Sequence, residues 1–235
     1  MANFDVILFD ADNTLFDFDK AEHEALRAVL EARGYPFNDH TRELYLSINR
    51  ELWARLDRGE VEQSWLVVER FAAFTRAMGG SDDPVEFNRD YLDHLAQGAF
   101  LLPGAEELCR HLAPHCTLAI ITNGVARAQK GRFARSALAD VIPYLFISQE
   151  IGASKPSPAF FEPVLRQLGE PPRERVLVVG DNLATDIRGG LDCGLPTVWY
   201  NPKRLPNTTP WIPRWEAADF SRLEELILDP AAILL

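Results

Sequence analysis

Asp10 and Asp12 are the first residues whose types and spacing could do chemistry. They close the stretch DVILFDADNT at residues 5–14, directly after the apolar run Val6, Ile7, Leu8 and Phe9. Such a run suits a strand buried on both faces, as in a parallel sheet covered by helices. Two carboxylates at its carboxyl end would stand at the edge where open α/β sheets bind ligands. They are costly there unless a cation, a proton or a substrate group uses them. The plain alternative is an ordinary strand end with acidic turn residues, so later stretches must decide.

Two more apolar runs end in polar signatures. CTLAIITNG stops at Thr122 and Asn123, and RVLVVGDN stops at Gly180, Asp181 and Asn182, with Asp186 soon after. Between them Lys155 lies in the loop GASKPS. Each feature has a bland reading: a threonine after a strand often caps a helix, a lysine before proline is often an exposed loop charge, and an aspartate after glycine is a common turn. In a parallel sheet, however, all three strand ends face one edge, and four polar groups placed there in one order are hard to assign to accident. Asp10, Asp181 and Asp186 form a set of hard oxygen ligands without histidine or thiolate, which selects magnesium over zinc. Lys155 and the Thr122 hydroxyl would supply the positive charge and donors that stabilise a transferring phosphoryl group. Asp10 is expected to be the nucleophile that becomes an aspartyl phosphate. Asp12 is expected to donate a proton to the leaving oxygen and later take one from water.

The elements that must position these residues can be read from periodicity. From Phe16 to about Gln97 strand-like runs disappear and four helical patterns replace them, near 20–33, 39–57, from after Gly59 to Met78, and after Pro84. From Leu102 strands alternate with helices, including a helix over 125–138, a short strand in YLFIS and a final strand in PTVWYN. The prolines of 202–213 mark a surface loop before a last helix at 221–228. The expected fold is α/β: a Rossmann-like doubly wound parallel sheet core over 1–16 and 98–235, with an inserted all-helical domain over 17–97. Trp53, Trp65, Arg50 and Arg55 in the insertion read as packing or a solvated face.

Composition bounds the partners. The 235 residues are 47% hydrophobic and 25% charged, with a net charge of -11. This disfavours broad contact with nucleic acid or an anionic membrane, yet permits a small anionic substrate where a cation reverses the local field. The start MANFDV lacks the basic and apolar regions of a signal peptide, and no run approaches a membrane span. Three cysteines fit a reducing compartment, and a cytoplasmic monomer or homodimer is expected. Cys109, His111, His115 and Cys116 lack zinc-site spacing and read as a helix end followed by a strand.

The motifs DADNT, TN at 122–123, KP at 155–156, and GDN with TD at 180–186 resemble, in order, those of the haloacid dehalogenase superfamily of phosphohydrolases. The resemblance covers nearly the whole chain. It implies a Mg2+ cofactor held by the Asp10 carboxylate, the Asp12 backbone carbonyl and the Asp181 carboxylate, with Asp186 a ligand either directly or through water. It further implies that Thr122 and Lys155 bind the phosphoryl group, that Asn123 helps orient it, and that the helical insertion is a mobile cap. The string FDADNTLFDFDKAE is similar to the opening of the 5'-nucleotidase branch acting on pyrimidine nucleoside monophosphates. Asn13 departs from the glycine many members carry there. The resemblance therefore implies a small phosphorylated metabolite, a nucleotide, as substrate. Phosphoglycolate or sugar-phosphate phosphatase is the nearest alternative, followed by phosphomutase, 2-haloacid dehalogenase and a non-catalytic binding module.

Overall fold

The computed structural model describes residues 2–229 and 231–232. The chain forms two compact units: one runs up to Phe18 and resumes at Ala99, and the other is Asp19–Gly98.

The first unit is built on a parallel sheet. Its strands are β1 (Val6–Asp10), β2 (Thr117–Thr122), β3 (Tyr144–Ile147), β4 (Val176–Gly180), β5 (Thr197–Tyr200) and β6 (Trp215–Ala217), in spatial order β3-β2-β1-β4-β5-β6. Every pairing is parallel, so all carboxyl ends share one edge. β1 is central, and the alternation of its side chains explains why it must be apolar throughout. Ile7 and Phe9 pack on one face with α5 (Ala105–Leu112) and α10 (Phe220–Leu228), while Val6 and Leu8 pack on the other with Phe160, Phe161 and Val164 of α8 (Pro158–Gln167). Each such fully buried side chain contributes roughly 1.5–3 kcal/mol.

Three features depart from the sequence expectations. PTVWYN forms β5 but is not the last strand, because Trp215–Ala217 adds β6 at the edge. Three residues, only one of them fully buried, are too short and too exposed to show a strand period. The helix expected over 125–138 is shorter: α6 is Ala126–Arg135, Ser136 turns extended, and a 3-10 turn follows at Ala137–Asp140. A four-residue helix, α7 (Ser148–Ile151), follows β3 in a stretch that no periodicity marks.

The second unit carries most of α1 (Phe18–Ala32), then α2 (Asp39–Asp57), α3 (Gln63–Ala77) and α4 (Pro84–Leu95). The starts follow local chemistry. Asn38 and Thr41 exchange side-chain and backbone hydrogen bonds in a capping box at α2. Asp83 accepts from the Val85 backbone N–H, with Pro84 in the first turn of α4. The interior is aromatic: Phe71 stacks on Phe87 at 4.5 Å, beside Tyr45, Phe74 and Tyr91. A buried polar strip crosses it, in which Arg70 donates to Asn49 and Asn88, and Asn49 donates to Glu22.

Among the described residues no helix is long and apolar enough to cross a membrane.

Candidate active site

The site is built where β1, β2 and β4 end side by side. Asp10 is the last residue of β1, in register with Ile121 of β2, and Asp181 follows the last residue of β4. Asp186 lies in a single π-helical turn, Leu183–Ile187, that begins just past Asp181. The Asn182 side chain caps this turn by accepting from Ala184 N–H, and the Asn182 N–H donates to Asp186 Oδ2 at 3.1 Å. Gly180 makes room for that carboxylate, since a Cβ there would stand 2.2 Å from Asp186 Oδ2.

Asp10, Asp181 and Asp186 each offer a carboxylate oxygen, all within 4.8 Å of one another, and they are the only such potential metal-binding group among the described residues. Cys109, His111, His115 and Cys116 form no such group, with Cys109 and Cys116 buried at the end of α5 and the approach to β2.

Lys155 reaches the same point from its loop. Its ammonium donates to Asp10 Oδ1 and Asp186 Oδ1, both at 2.7 Å, and to the Ile121 carbonyl at 3.0 Å. The lysine is 3% exposed. Its backbone is fixed by Asn123, whose amide donates to the Lys155 carbonyl and whose oxygen accepts from the Lys155 N–H, each at 2.9 Å. Asn123 thus grips the lysine loop from the end of β2. Thr122 is buried beside it, and its Oγ1 accepts from the Gly124 N–H at 3.0 Å.

Burial sets the electrostatics. It pushes the Asp10 carboxyl up to about 7, against the opposing pull of Lys155 and with help from Asp186 and Asp12. It pushes Asp181 up to about 8, with Asp10 and Asp186 adding to the rise. Lys155 moves the other way from a buried amine, because Asp10 and Asp186 together overcome its desolvation and hold it charged. Three clustered acids around one buried ammonium thus hold protons that a divalent cation would displace on binding.

Asp12 belongs to the same rim, but its carboxylate turns toward α6. It accepts from Gln129 Nε2 at 2.7 Å and pairs with the Arg132 guanidinium. Gln129 and Arg132 are rim residues that motif spacing did not single out, and Thr14 lies within DADNT but was given no role there. Thr14 accepts from the Asp181 N–H at 3.2 Å, while Trp199 Nε1 donates to the Asp181 carbonyl at 2.9 Å. The signal for Gln129 and Arg132 was their i, i+3 spacing in the helix after TNG, a pattern shared with countless surface helices. In the helical unit Arg50 pairs with Glu43 at the surface, Arg55 lies 5.3 Å from the Trp65 ring, and Trp53 donates to Asn49.

A parallel sheet with an acidic triad and a buried lysine at its carboxyl edge defines an α/β enzyme scaffold for hydrolytic chemistry. Residues 4–194 match the family model of haloacid dehalogenase-like hydrolases, and the chain belongs to that family. It is 34% identical to the pyrimidine 5'-nucleotidase PynA of Streptococcus pneumoniae, over 92% of each chain. It is 32% identical to the pyrimidine 5'-nucleotidase YjjG of Escherichia coli, over 95% of this chain and 98% of that one. Among solved structures it is similar to the HAD-hydrolase YfnB of Bacillus subtilis, a form bound to magnesium, with a TM-score of 0.90 and 32% identity over 95% of this chain and 98% of that one.

Proposed function

We propose that this hydrolase is a magnesium-dependent phosphomonoesterase that works through a phosphorylated Asp10 and acts on nucleoside 5'-monophosphates. The observation that carries the reading is the convergence of the Asp10, Asp181 and Asp186 oxygens within 4.8 Å, with the Lys155 ammonium on two of them. All three donors are hard oxygens, which suits magnesium, and the magnesium-bound structure of YfnB supports the choice. Asp10, Asp181 and the Asp12 carbonyl would hold the ion, with Asp186 beside them. When bound, magnesium would offset charge on the carboxylates and on a phosphoryl oxygen.

The residues of this chain then divide the work. An Asp10 oxygen attacks phosphorus, the bond to the leaving oxygen breaks, and Asp12 gives that oxygen its proton. In the second step water attacks the same phosphorus, Asp12 takes its proton, and the bond to Asp10 breaks, releasing phosphate and restoring both carboxyl groups. Lys155 and the Thr122 hydroxyl donate to phosphoryl oxygens, and Asn123 fixes Lys155 for that task. The helical unit, placed at 17–97 from sequence, would serve as a cap that excludes water and selects the leaving group. Its position in the chain, inserted between the first motif and the second, supports that role. The nucleotide preference is supported by FDADNTLFDFDKAE and by the two pyrimidine 5'-nucleotidases among the relatives. A 30% identical relative, ribulose-1,5-bisphosphate 5-phosphatase of Halopiger xanaduensis, shows which rival class the assay must include.

The test is phosphate release across a panel of nucleotides, sugar phosphates and phosphoglycolate. Expected are loss of activity on chelation, recovery with magnesium, a fall of at least about 10³-fold in Asp10→Asn, and the highest kcat/KM for nucleoside 5'-monophosphates. Full activity in chelator, or a near-normal Asp10→Asn rate, overturns the mechanism. A sugar phosphate at the head of the ranking overturns the substrate.

A further inference from the structure

We propose that Gln129 and Arg132 are positioning residues for Asp12, holding its carboxylate in one orientation for the proton transfers assigned to it above; the inference rests on that assignment. Both project from α6 three residues apart, hence on one face of the helix. Gln129 Nε2 donates to Asp12 Oδ2 at 2.7 Å and Arg132 Nη1 donates to Oδ1. With each oxygen tied to a different donor, a turn of the Asp12 side chain about either torsion breaks at least one bond.

This is not a surface ion pair. Arg132 is 1% exposed and Gln129 4%, whereas the Asp12 side chain keeps 25%. A buried guanidinium is expensive unless paired, and here its partner is a half-buried carboxylate at the rim of the acidic cluster. Gly124 gives independent support, because a Cβ there would lie 2.1 Å from Gln129 Nε2. The turn after β2 is therefore left empty where Gln129 lies. The Arg132 guanidinium is 4.9 Å from the centre of the Phe16 ring and 5.6 Å from that of Phe18, the two aromatic residues of the segment where the chain leaves the α/β unit. That segment and Asp12 together confine the arginine. Neither Gln129 nor Arg132 is given contact with the phosphoryl group, so the role acts through Asp12.

The test compares the unsubstituted enzyme with Gln129→Leu, Arg132→Lys and, as a reference for full loss, Asp12→Asn. Two substrates are used: the alkyl monophosphate turned over fastest in the panel above, and p-nitrophenyl phosphate. p-Nitrophenolate departs without a proton, so its release in a single turnover does not need Asp12, whereas hydrolysis of phosphorylated Asp10 does. Expected for Gln129→Leu and Arg132→Lys is a kcat on the alkyl ester lowered by about 10- to 100-fold with KM within about twofold. Single-turnover p-nitrophenolate release should keep its normal rate while steady-state turnover of the same substrate falls. A normal kcat on the alkyl ester, a loss confined to KM, or an equal loss in the single turnover overturns the proposal. If Arg132→Lys does not fold by thermal denaturation, Gln129→Leu, which removes no charge, decides alone. Failure of the underlying reading looks different: the unsubstituted enzyme releases no phosphate, or Asp10→Asn releases it undiminished.

Discussion

At Asp181, burial and two neighbouring carboxylates push the carboxyl up to about 8, and burial carries Asp10 to about 7 although Lys155 stands 2.7 Å away. In the unfolded chain both groups titrate near 4. Between about pH 4 and pH 8 the folded, metal-free protein therefore holds more protons than the unfolded chain, and its stability falls as pH rises through that window. Lys155 stays charged across the range, because its own value is raised. Urea unfolding in chelator should show lower stability at pH 8 than at pH 5. Magnesium should stabilise the protein more at pH 8 than at pH 5, since the ion competes with those protons. Asp181→Asn should flatten the pH dependence in chelator, which separates the site from general repulsion at a net charge of -11. A slope unchanged by Asp181→Asn would refute this account of the acidic cluster.

At the level of elements, the junction of β4 with the π-helical turn makes the site. Gly180 closes the strand, and any side chain there would meet the Asp186 carboxylate, which the Asn182 N–H holds. Gly180→Ala is expected to cost about 1–3 kcal/mol by overpacking. It should also weaken magnesium binding by about 10- to 100-fold, as displaced supporting groups do at metal sites. Titration calorimetry and denaturation measure the two effects separately, and unchanged metal affinity in a destabilised variant would show that Asp186 is not tied to the ion. The same junction shows what sequence could and could not reveal. β1, β2 and β4 were legible because a strand buried on both faces must be apolar along its length and must stop where the chemistry starts. β6 was not legible at all, because three residues, of which one is buried, one partly exposed and one exposed, carry no period. Asp10, Lys155 and Asp186 could be grouped by motif order, but the clamp of Gln129 and Arg132 on Asp12 depends on how far α6 rotates over the end of β2, which no spacing records.

For the whole molecule, the α/β unit has a complete core on both faces of its sheet, and the helical unit has an aromatic interior of its own. The segments that leave and re-enter the α/β unit are hydrogen-bonded to each other: the Leu102 N–H donates to the Leu15 carbonyl at 2.9 Å and the Asp17 N–H to the Phe100 carbonyl at 3.0 Å. Replacing residues 19–98 with a short Gly/Ser linker is accordingly expected to leave an α/β unit that unfolds cooperatively and still binds magnesium. Such a variant should discriminate poorly among phosphate esters. An aggregated or non-cooperative product would show that the α/β unit cannot stand alone.

The backbone pairing at Leu15 with Leu102 and Asp17 with Phe100 has a genealogical consequence. A single uninterrupted stretch of gene passes out and back through one narrow doorway, so it can be lengthened, exchanged or redesigned while every group that would touch phosphorus stays where it is. On the proposed cap role, a lineage built on this plan would acquire new substrates by changing residues 19–98 alone.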